Sequence, residues 1–243
     1  MRMLAFASRN YKEMTRDKVN LLFGLAFPLV LILMLSLIQS NIPNEMFQID
    51  MLTPGIAMFG LSFISLFSGM LIASDRQSSF LMRLFTTPLT SQQFITGYTL
   101  PLFPLALIQM SLCYVAAFFL GLSISIEALF SILVLIPIAV FFIGIGLLTG
   151  SIFTDKQVGG VCGALLTNVS AWFSGAWFDV SLVGGWFESI AHALPFVHAV
   201  EASRAALAGN GSDVFPHLWW VILYAVVAIA LAIYVFNKKM KIA

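Results

Sequence analysis

Two pairs of glutamate and histidine side chains stand close together in the last third of the sequence. Glu188 precedes His192 by four residues and His198 precedes Glu201 by three, spacings that place each pair on one face of a helix. Imidazole and carboxylate groups are ligands of zinc. However, there is no His-Glu-x-x-His motif, and Leu194-Pro195 separates the two pairs. We therefore predict no metal site here.

We interpret the surrounding segment, residues 179–217, as an external re-entrant hairpin with its polar residues at the water interface. Within it, Glu201 and Arg204 are expected to pair across one helical turn. The other hairpin residue that we single out is Pro195, which interrupts the helical pattern. An intramembrane enzyme would need a fuller catalytic constellation than these residues offer. We expect no catalytic residues and no cofactor in this chain.

The amino-acid composition indicates whether this chain folds in water or in a membrane. The chain has 243 residues, of which 60% are hydrophobic and 9% are charged, whereas a soluble domain has about 25% charged residues. Six apolar runs are long enough to cross the ~30 Å hydrocarbon core as helices. They cover residues 21–40, 52–74, 94–120, 128–152, 158–178 and 218–236. The runs are continuously apolar rather than alternating, which predicts an all-α membrane protein with one transmembrane domain, residues 1–243.

The positions of lysine and arginine predict the orientation. Eleven of the twelve basic residues flank the spans on one side, and only Arg204 lies on the other. By the positive-inside rule, both termini should be cytoplasmic. With a net charge of +1 and no basic block, the chain is not expected to bind nucleic acid.

The first nineteen residues predict an amphipathic helix. Met3, Leu4, Ala7, Tyr11 and Met14 fall on one side at helical spacing, opposite most of the charged residues, whereas Phe6 departs from the pattern. Such a helix lies on the membrane surface, in contact with lipid.

A second charged stretch, residues 75–93, separates spans two and three. Its apolar residues share one helical face, Arg76 and Arg83 lie opposite, and Pro88 ends the helix. The topology places this segment in the cytoplasm. It either docks into a cytoplasmic partner or seals the bundle surface. The sequence contains no G-x-x-x-x-G-K-[ST] motif, so an ATP-driven process would need an ATPase on another polypeptide.

Two stretches resemble the permeases of ABC-2 type transporters, the type V ABC exporter fold. "RLFTTPLTSQQFITGYTL" (83–100) is similar to the family's Arg-Leu-x-x-x-Pro-Leu segment. "FSGAWFDVSLVGGWFESIAHALPFVHAVEASRAALAG" (173–209) resembles the exit from span five and the external hairpin that follows it. The resemblance implies six spans, an N-terminal amphipathic helix and a coupling helix at 75–93. It also implies two P-loop ATPase subunits, which bind ATP and Mg²⁺, and a second permease, the same or a sister chain. The residues that would couple to the ATPase are Arg76, Phe80, Leu81, Arg83, Leu84, Phe85 and Pro88.

Residues of spans two and five are candidates for a substrate path. Phe59, Phe63 and Phe67 recur every four residues in span two and would either contact an apolar ligand or pack against a neighbouring helix. In span five, Asn168 should bond another helix or line the path, because an unpaired amide facing lipid is costly. We assign Trp172 to the same path.

Small residues also mark expected helix contacts. Gly146 and Gly150 in span four, and Gly159, Gly160 and Gly163 in span five, are interpreted as packing surfaces.

These features favour an exporter of hydrophobic or amphiphilic cargo, such as a drug, lipid or peptide, in a bacterial or archaeal plasma membrane. A self-contained channel or secondary carrier is the alternative. Ion-coupled carriers usually keep ionisable groups in mid-membrane, and the six runs have none well inside them. This observation favours an external energy source.

Overall fold

The computed structural model describes residues 2–41, 45–78 and 90–240, and these residues form helices joined by short connections, without strands. The predicted all-α class is confirmed. Five helices are long and apolar enough to cross a membrane. They cover 18–41, 49–77, 92–119, 126–152 and 211–238, and each matches one of the predicted runs.

The α-helices are numbered here in chain order. They are α1 (Arg2–Arg16), α2 (Lys18–Asn41), α3 (Ile49–Gln77), α4 (Ser91–Phe119), α5 (Ile126–Val134), α6 (Ile136–Ile152), α7 (Asp155–Val158), α8 (Thr167–Trp172), α9 (Gly185–Ala193), α10 (Pro195–Leu207) and α11 (Gly211–Met240). A π-helical segment, Gly159–Leu166, joins α7 to α8, and short 3₁₀ turns lie at Glu45–Phe47 and Val180–Leu182.

The run predicted as span five differs from the other five. Its backbone stays helical from α7 through the π-helical segment into α8, with φ/ψ of −59°/−42° at Val158 and −62°/−45° at Thr167. The helix ends at Trp172, six positions before the predicted end at 178. Because the π-helical segment divides it, no single α-helix here has the ~20 residues that a span needs.

Helix α3 lies at the centre of the bundle, with 83% of its most apolar window buried. It approaches α6 closely, because a Cβ added to Gly150 would lie 2.4 Å from the carbonyl oxygen of Gly69, and one added to Gly146 would lie 2.3 Å from that of Ser65. The prediction that these two span-four glycines form a packing surface is confirmed, since any side chain there would collide with backbone.

The glycines of span five behave differently. A Cβ at Gly159 or Gly160 would meet no described atom within 4 Å, whereas one at Gly163 would contact the Leu66 side chain. The packing prediction is therefore wrong for Gly159 and Gly160 within the described part of the chain. These two residues lie in the π-helical segment, and glycine has a weak preference for regular α-helix.

Helix α1 forms as predicted, but only part of the predicted apolar face is buried, namely Ala7 and Met14. Phe6 is buried and packs edge-on against Phe94 and Tyr98 of α4, with ring centroids 5.6 and 4.9 Å apart. Leu4 and Tyr11 are exposed. Contact with α4 therefore selects the buried face, and Phe6, which departs from the sequence pattern, is its main anchor.

A buried hydroxyl network holds α10 inside the bundle. The Ser131 hydroxyl donates to the carbonyl oxygen of Ser203 at 2.6 Å, and the Tyr114 hydroxyl lies 2.6 Å from that of Ser131. All three side chains are buried. Buried hydroxyls that are fully bonded fix the arrangement of the elements carrying them, so α10 is tied to α4 and α5.

Candidate functional site

The carboxylate of Asp75 joins three helices at the C-terminal end of α3. Asp75 Oδ2 accepts hydrogen bonds from Arg9 Nη1 of α1 at 2.7 Å and from the Tyr98 hydroxyl of α4 at 2.8 Å. The Asp75 side chain is only 2% exposed. A buried carboxylate must be paired and hydrogen-bonded, so Asp75, Arg9 and Tyr98 constrain one another. We call these three residues the Asp75 junction.

Neighbouring groups on α1 strengthen the Asp75 junction. Arg9 also forms an ion pair with Glu13, one turn further along α1. Burial opposes the charge of Arg9, but its hydrogen bond to Asp75 and the two carboxylates outweigh that effect, and the pKa of Arg9 is raised. Asn10 donates from Nδ2 to the carbonyl oxygen of Gly97 at 3.0 Å. Helix α1 is therefore fixed to α4 by polar as well as apolar contacts.

Arg76, the first predicted coupling residue, points into the bundle. Its Nη1 donates to the carbonyl oxygens of Gly150 and Phe153 at 2.7 and 3.2 Å. These carbonyls end α6, where no further intrahelical donors are available. Arg76 therefore ties the end of α3 to the end of α6.

The other predicted coupling residues lie outside the described residues. They are Phe80, Leu81, Arg83, Leu84, Phe85 and Pro88. The structure does describe where the chain resumes. Thr90 caps α4 by accepting from the Gln93 backbone at 3.3 Å, and the Gln93 side chain accepts from the Thr90 backbone at 3.0 Å. This reciprocal cap sets where α4 begins.

The phenylalanine stripe of α3 packs within this chain. Phe59 and Phe63 meet edge-on at 5.7 Å, and Phe27 of α2 lies 5.8 Å from Phe63. Phe67 is buried, close to Gly24 of α2. Of the two interpretations of the stripe, these contacts favour packing between α2 and α3.

Asn168 and Trp172 have a different environment. Both are exposed in this chain, Trp172 by 58%, and they share the exposed face of α8. Asn168 donates from Nδ2 to the carbonyl oxygen of Ala164, on its own helix, at 2.8 Å. Leu165, three positions before Asn168, is exposed too. The structure thus separates these residues from the phenylalanine stripe assigned to the same path.

The hairpin residues lie at the opposite end of α3. Pro195 is buried at the first position of α10, where proline suits a helix start. Arg204 donates from Nε to the carbonyl oxygen of Met51 at 2.9 Å and from Nη2 to that of Gly175 at 3.0 Å. Burial lowers the pKa of Arg204, against the opposing effect of nearby carboxylates.

The predicted ion pair between Glu201 and Arg204 is wrong. In the described residues, Glu201 Oε2 instead lies 3.2 Å from Nδ1 of His217, on α11. The planar guanidinium suits two backbone carbonyls, one in the first turn of α3 and one shortly after α8, and its bonds to them turn Arg204 away from Glu201.

The histidines converge on the same hairpin. His198 Nδ1 lies 2.8 Å from His217 Nδ1, and His198 Nε2 lies 2.9 Å from the carbonyl oxygen of His192. His192, His198 and Glu201 each offer one possible metal-ligand atom, and these three atoms lie within 4.8 Å of one another. Glu188 is not part of this group. His217 was missed from the sequence. The one available signal was that the chain has only three histidines.

A family model and a known protein are both similar to this chain. The family model described as ABC-2 type transporter matches residues 1–208. A protein of Porphyra purpurea, named as transport permease ycf38, is 26% identical over 211 residues, covering 82% of this chain and 72% of the relative. The family match includes α1, the Asp75 junction and the spans up to the hairpin.

Proposed function

Because this chain belongs to the ABC-2 type transporter family, we propose that it is the membrane subunit of an ATP-driven exporter whose ATPase is a separate polypeptide. The family and the five apolar helices identify a multi-pass transporter protein. The complete exporter would contain two permeases, identical or sister chains, and two P-loop ATPase subunits. ATP and Mg²⁺ would bind to the ATPase subunits. This chain would contribute the path and the surface on which the ATPase acts.

This proposal rests on one observation. The first residues of the coupling segment, 75–93, are bonded to other helices of the bundle. Asp75 is bonded to α1 and α4, and Arg76 is bonded to the end of α6. A displacement of the coupling segment by the ATPase would therefore move three helices together with α3. Short charge-assisted hydrogen bonds suit this role, because they are stronger than neutral ones.

We propose that α8 faces the second permease. Asn168 and Trp172, together with Leu165 of the preceding π-helical segment, form one exposed face, which neither α3 nor α6 covers. The path would run between the two permeases, with Asn168 and Trp172 contributing to its surface. Phe59, Phe63 and Phe67 would support the path surface indirectly, by packing α2 against α3.

The topology of the proposed exporter includes six spans. Helix α7, the π-helical segment and α8 would form the fifth, with the hairpin 179–217 re-entering the membrane on the external side. Both termini, α1 and the coupling segment would be cytoplasmic, as the lysine and arginine distribution indicates. We assign the protein to the plasma membrane of a bacterium or archaeon.

The cargo class follows from the surface that is available. The exposed face of α8 is apolar and aromatic except for one amide, which suits hydrophobic or amphiphilic molecules better than ions. Drugs, lipids and peptides belong to this class.

The deciding experiment is purification of the tagged chain from its native membrane, followed by protein identification and an ATP hydrolysis assay. We expect a stoichiometric P-loop ATPase, with its activity stimulated by the permease in lipid. Leu84→Pro, which would break the proposed coupling helix, should release the ATPase, whereas Leu133→Pro on α5 would test for general misfolding. A stable oligomer that transports without an ATPase would instead identify a self-contained channel or secondary carrier.

A further inference from the structure

The three histidines of this chain and one glutamate meet where α9, α10 and α11 converge. His192 belongs to α9, His198 and Glu201 to α10, and His217 to α11. No transport step described above uses them. Their ring contacts are close, with centroids 5.9 Å apart for His192 and His198 and 5.1 Å apart for His198 and His217.

The orientation of His198 directs the lone pair of Nδ1 towards His217. Its Nε2 is 2.9 Å from the carbonyl oxygen of His192, which can only accept, so Nε2 carries the proton in the neutral ring. Nδ1 is then an acceptor. Metal-binding histidines are commonly oriented in this way, with the second ring nitrogen bonded to a backbone carbonyl.

The surroundings of His198 are partly shielded from solvent. Desolvation lowers the pKa of His198, and the neighbouring His217 adds to the effect. The ring is half-buried beside Trp220, with centroids 5.7 Å apart.

Glu201 has an oxygen that lacks a hydrogen bond. Oε2 is buried and accepts no hydrogen bond in the described structure, although His217 Nδ1 is 3.2 Å away. That nitrogen also faces His198 Nδ1 at 2.8 Å, and one N–H cannot serve both acceptors. An unsatisfied buried carboxylate oxygen is costly, and a cation between these atoms would satisfy it.

The spacing of the donors is compatible with a tetrahedral ion. Ligands at the usual Zn–N distance of about 2.0–2.1 Å lie roughly 3.3 Å apart in a tetrahedron. The two contacts of His217, at 2.8 and 3.2 Å, are both somewhat shorter than that value, so the donors would have to move slightly apart to admit an ion. His192 needs only a modest side-chain movement, because its donor is within 4.8 Å of those of His198 and Glu201.

We propose that His192, His198, Glu201 and His217 bind one divalent transition-metal ion of the zinc class. The imidazole-rich donor set favours such an ion over Mg²⁺ or Ca²⁺, which prefer oxygen ligands. The site opens into a cavity of about 500 Å³ that Asp179 and Asp213 also line. Arg204 lines it as well, but its guanidinium is held by the carbonyl oxygens of Met51 and Gly175. A bound ion would fasten the hairpin to α11.

The test is metal binding by the full-length protein, purified through a tag without histidines and stripped with a chelator. Zn²⁺ alone is titrated in competition with a chromophoric chelator, and Co²⁺ alone is titrated while visible absorption is recorded. We expect one Zn²⁺ per chain and the intense visible bands of tetrahedral Co²⁺. His198→Ala and Glu201→Gln should each weaken Zn²⁺ binding at least about tenfold.

Glu188→Gln is the matched control. It removes a carboxylate from the same hairpin, but not from the group of converging donors, and should leave Zn²⁺ affinity unchanged. The proposal is overturned if the native sequence binds neither ion, or if His198→Ala and Glu201→Gln bind Zn²⁺ as tightly as it does. The Co²⁺ spectrum of the native sequence decides the matter even if a variant fails to fold. The result does not depend on whether an ATPase subunit is present.

Discussion

Arg9 and Asp75, which are 66 positions apart in the chain, form a 2.7 Å ion pair between α1 and the end of α3. The Tyr98 hydroxyl donates to the same carboxylate oxygen. The N-terminal helix is therefore joined directly to the residue at which the proposed coupling segment begins, so it is part of the same mechanical unit as α3 and α4.

Replacement of Arg9 should destabilise this unit. Arg9→Ala leaves the Asp75 charge buried with, among the described side chains, only the Tyr98 hydroxyl as a partner. Breaking a fully buried pair costs about 3–5 kcal/mol. We expect a loss of about 1–3 kcal/mol, because a third of the Arg9 side chain is exposed. Thermal unfolding in detergent measures the effect. Arg16→Ala removes an exposed arginine from the same helix and should cause little change, and equal effects of the two variants would contradict the argument.

Arg76 and Arg83 should have separable roles. Arg76→Gln removes the bridge to the carbonyl oxygens that end α6 and should lower the melting temperature, while ATPase binding is largely retained. Arg83→Glu reverses a charge in the proposed docking helix and should weaken ATPase binding with little effect on melting temperature. Pull-down of the ATPase and thermal unfolding, performed on both variants, give the two readouts. If Arg83→Glu retains full ATPase binding and transport, the coupling assignment fails.

The contact between α3 and α6 should not tolerate a methyl group. In Gly150→Ala the new Cβ would lie 2.4 Å from a backbone oxygen of α3, so the helices must separate. Overpacking of this kind costs about 1–3 kcal/mol. Gly160→Ala, which meets no described atom within 4 Å, is the control and should be neutral or stabilising. Melting temperatures of the two variants test the difference directly.

The stability of the hairpin should depend on the ability of the Arg204 guanidinium to donate two hydrogen bonds at once. Arg204→Lys keeps the charge but cannot reach the carbonyl oxygens of Met51 and Gly175 together. Each lost hydrogen bond to a charged group is worth about 1.5–3 kcal/mol, and we expect a lower melting temperature. The control is Lys156→Arg, a similar exchange at an exposed position. An unchanged melting temperature in Arg204→Lys would show that these bonds do not hold the hairpin.

The exposed face of α8 should meet another permease. The two native cysteines, Cys113 and Cys162, are buried, so a cysteine introduced by Asn168→Cys can be cross-linked selectively. We expect a product of two permease chains in membranes, and mass spectrometry would identify the second chain. Leu133→Cys, on the exposed surface of α5, should give no such product. Cross-linking from both positions, or from Leu133→Cys alone, would argue against the proposed interface.

The sequence predicted the elements better than their contacts. The span boundaries at 21–40 and 52–74 fall inside α2 and α3, because a continuous apolar run in a membrane must be helical whatever its neighbours are. The predicted end of span five was wrong. Neither the π-helical segment nor the end of α8 at Trp172 changes the length of the apolar run, so the run alone cannot reveal them. For α1, periodicity predicted a helix but placed Phe6 outside its apolar face, although Phe6 is its main contact with α4.

The sequence by itself determined that this is a helical membrane protein with basic, amphipathic segments at one end, because those properties depend on local composition and period. Only the tertiary structure decided which polar groups meet. Asp75 pairs with Arg9, Arg204 binds backbone carbonyls instead of Glu201, and His217 joins His198. In a medium of low polarity each buried polar group must find a partner, and packing of distant helices determines which partner is within reach.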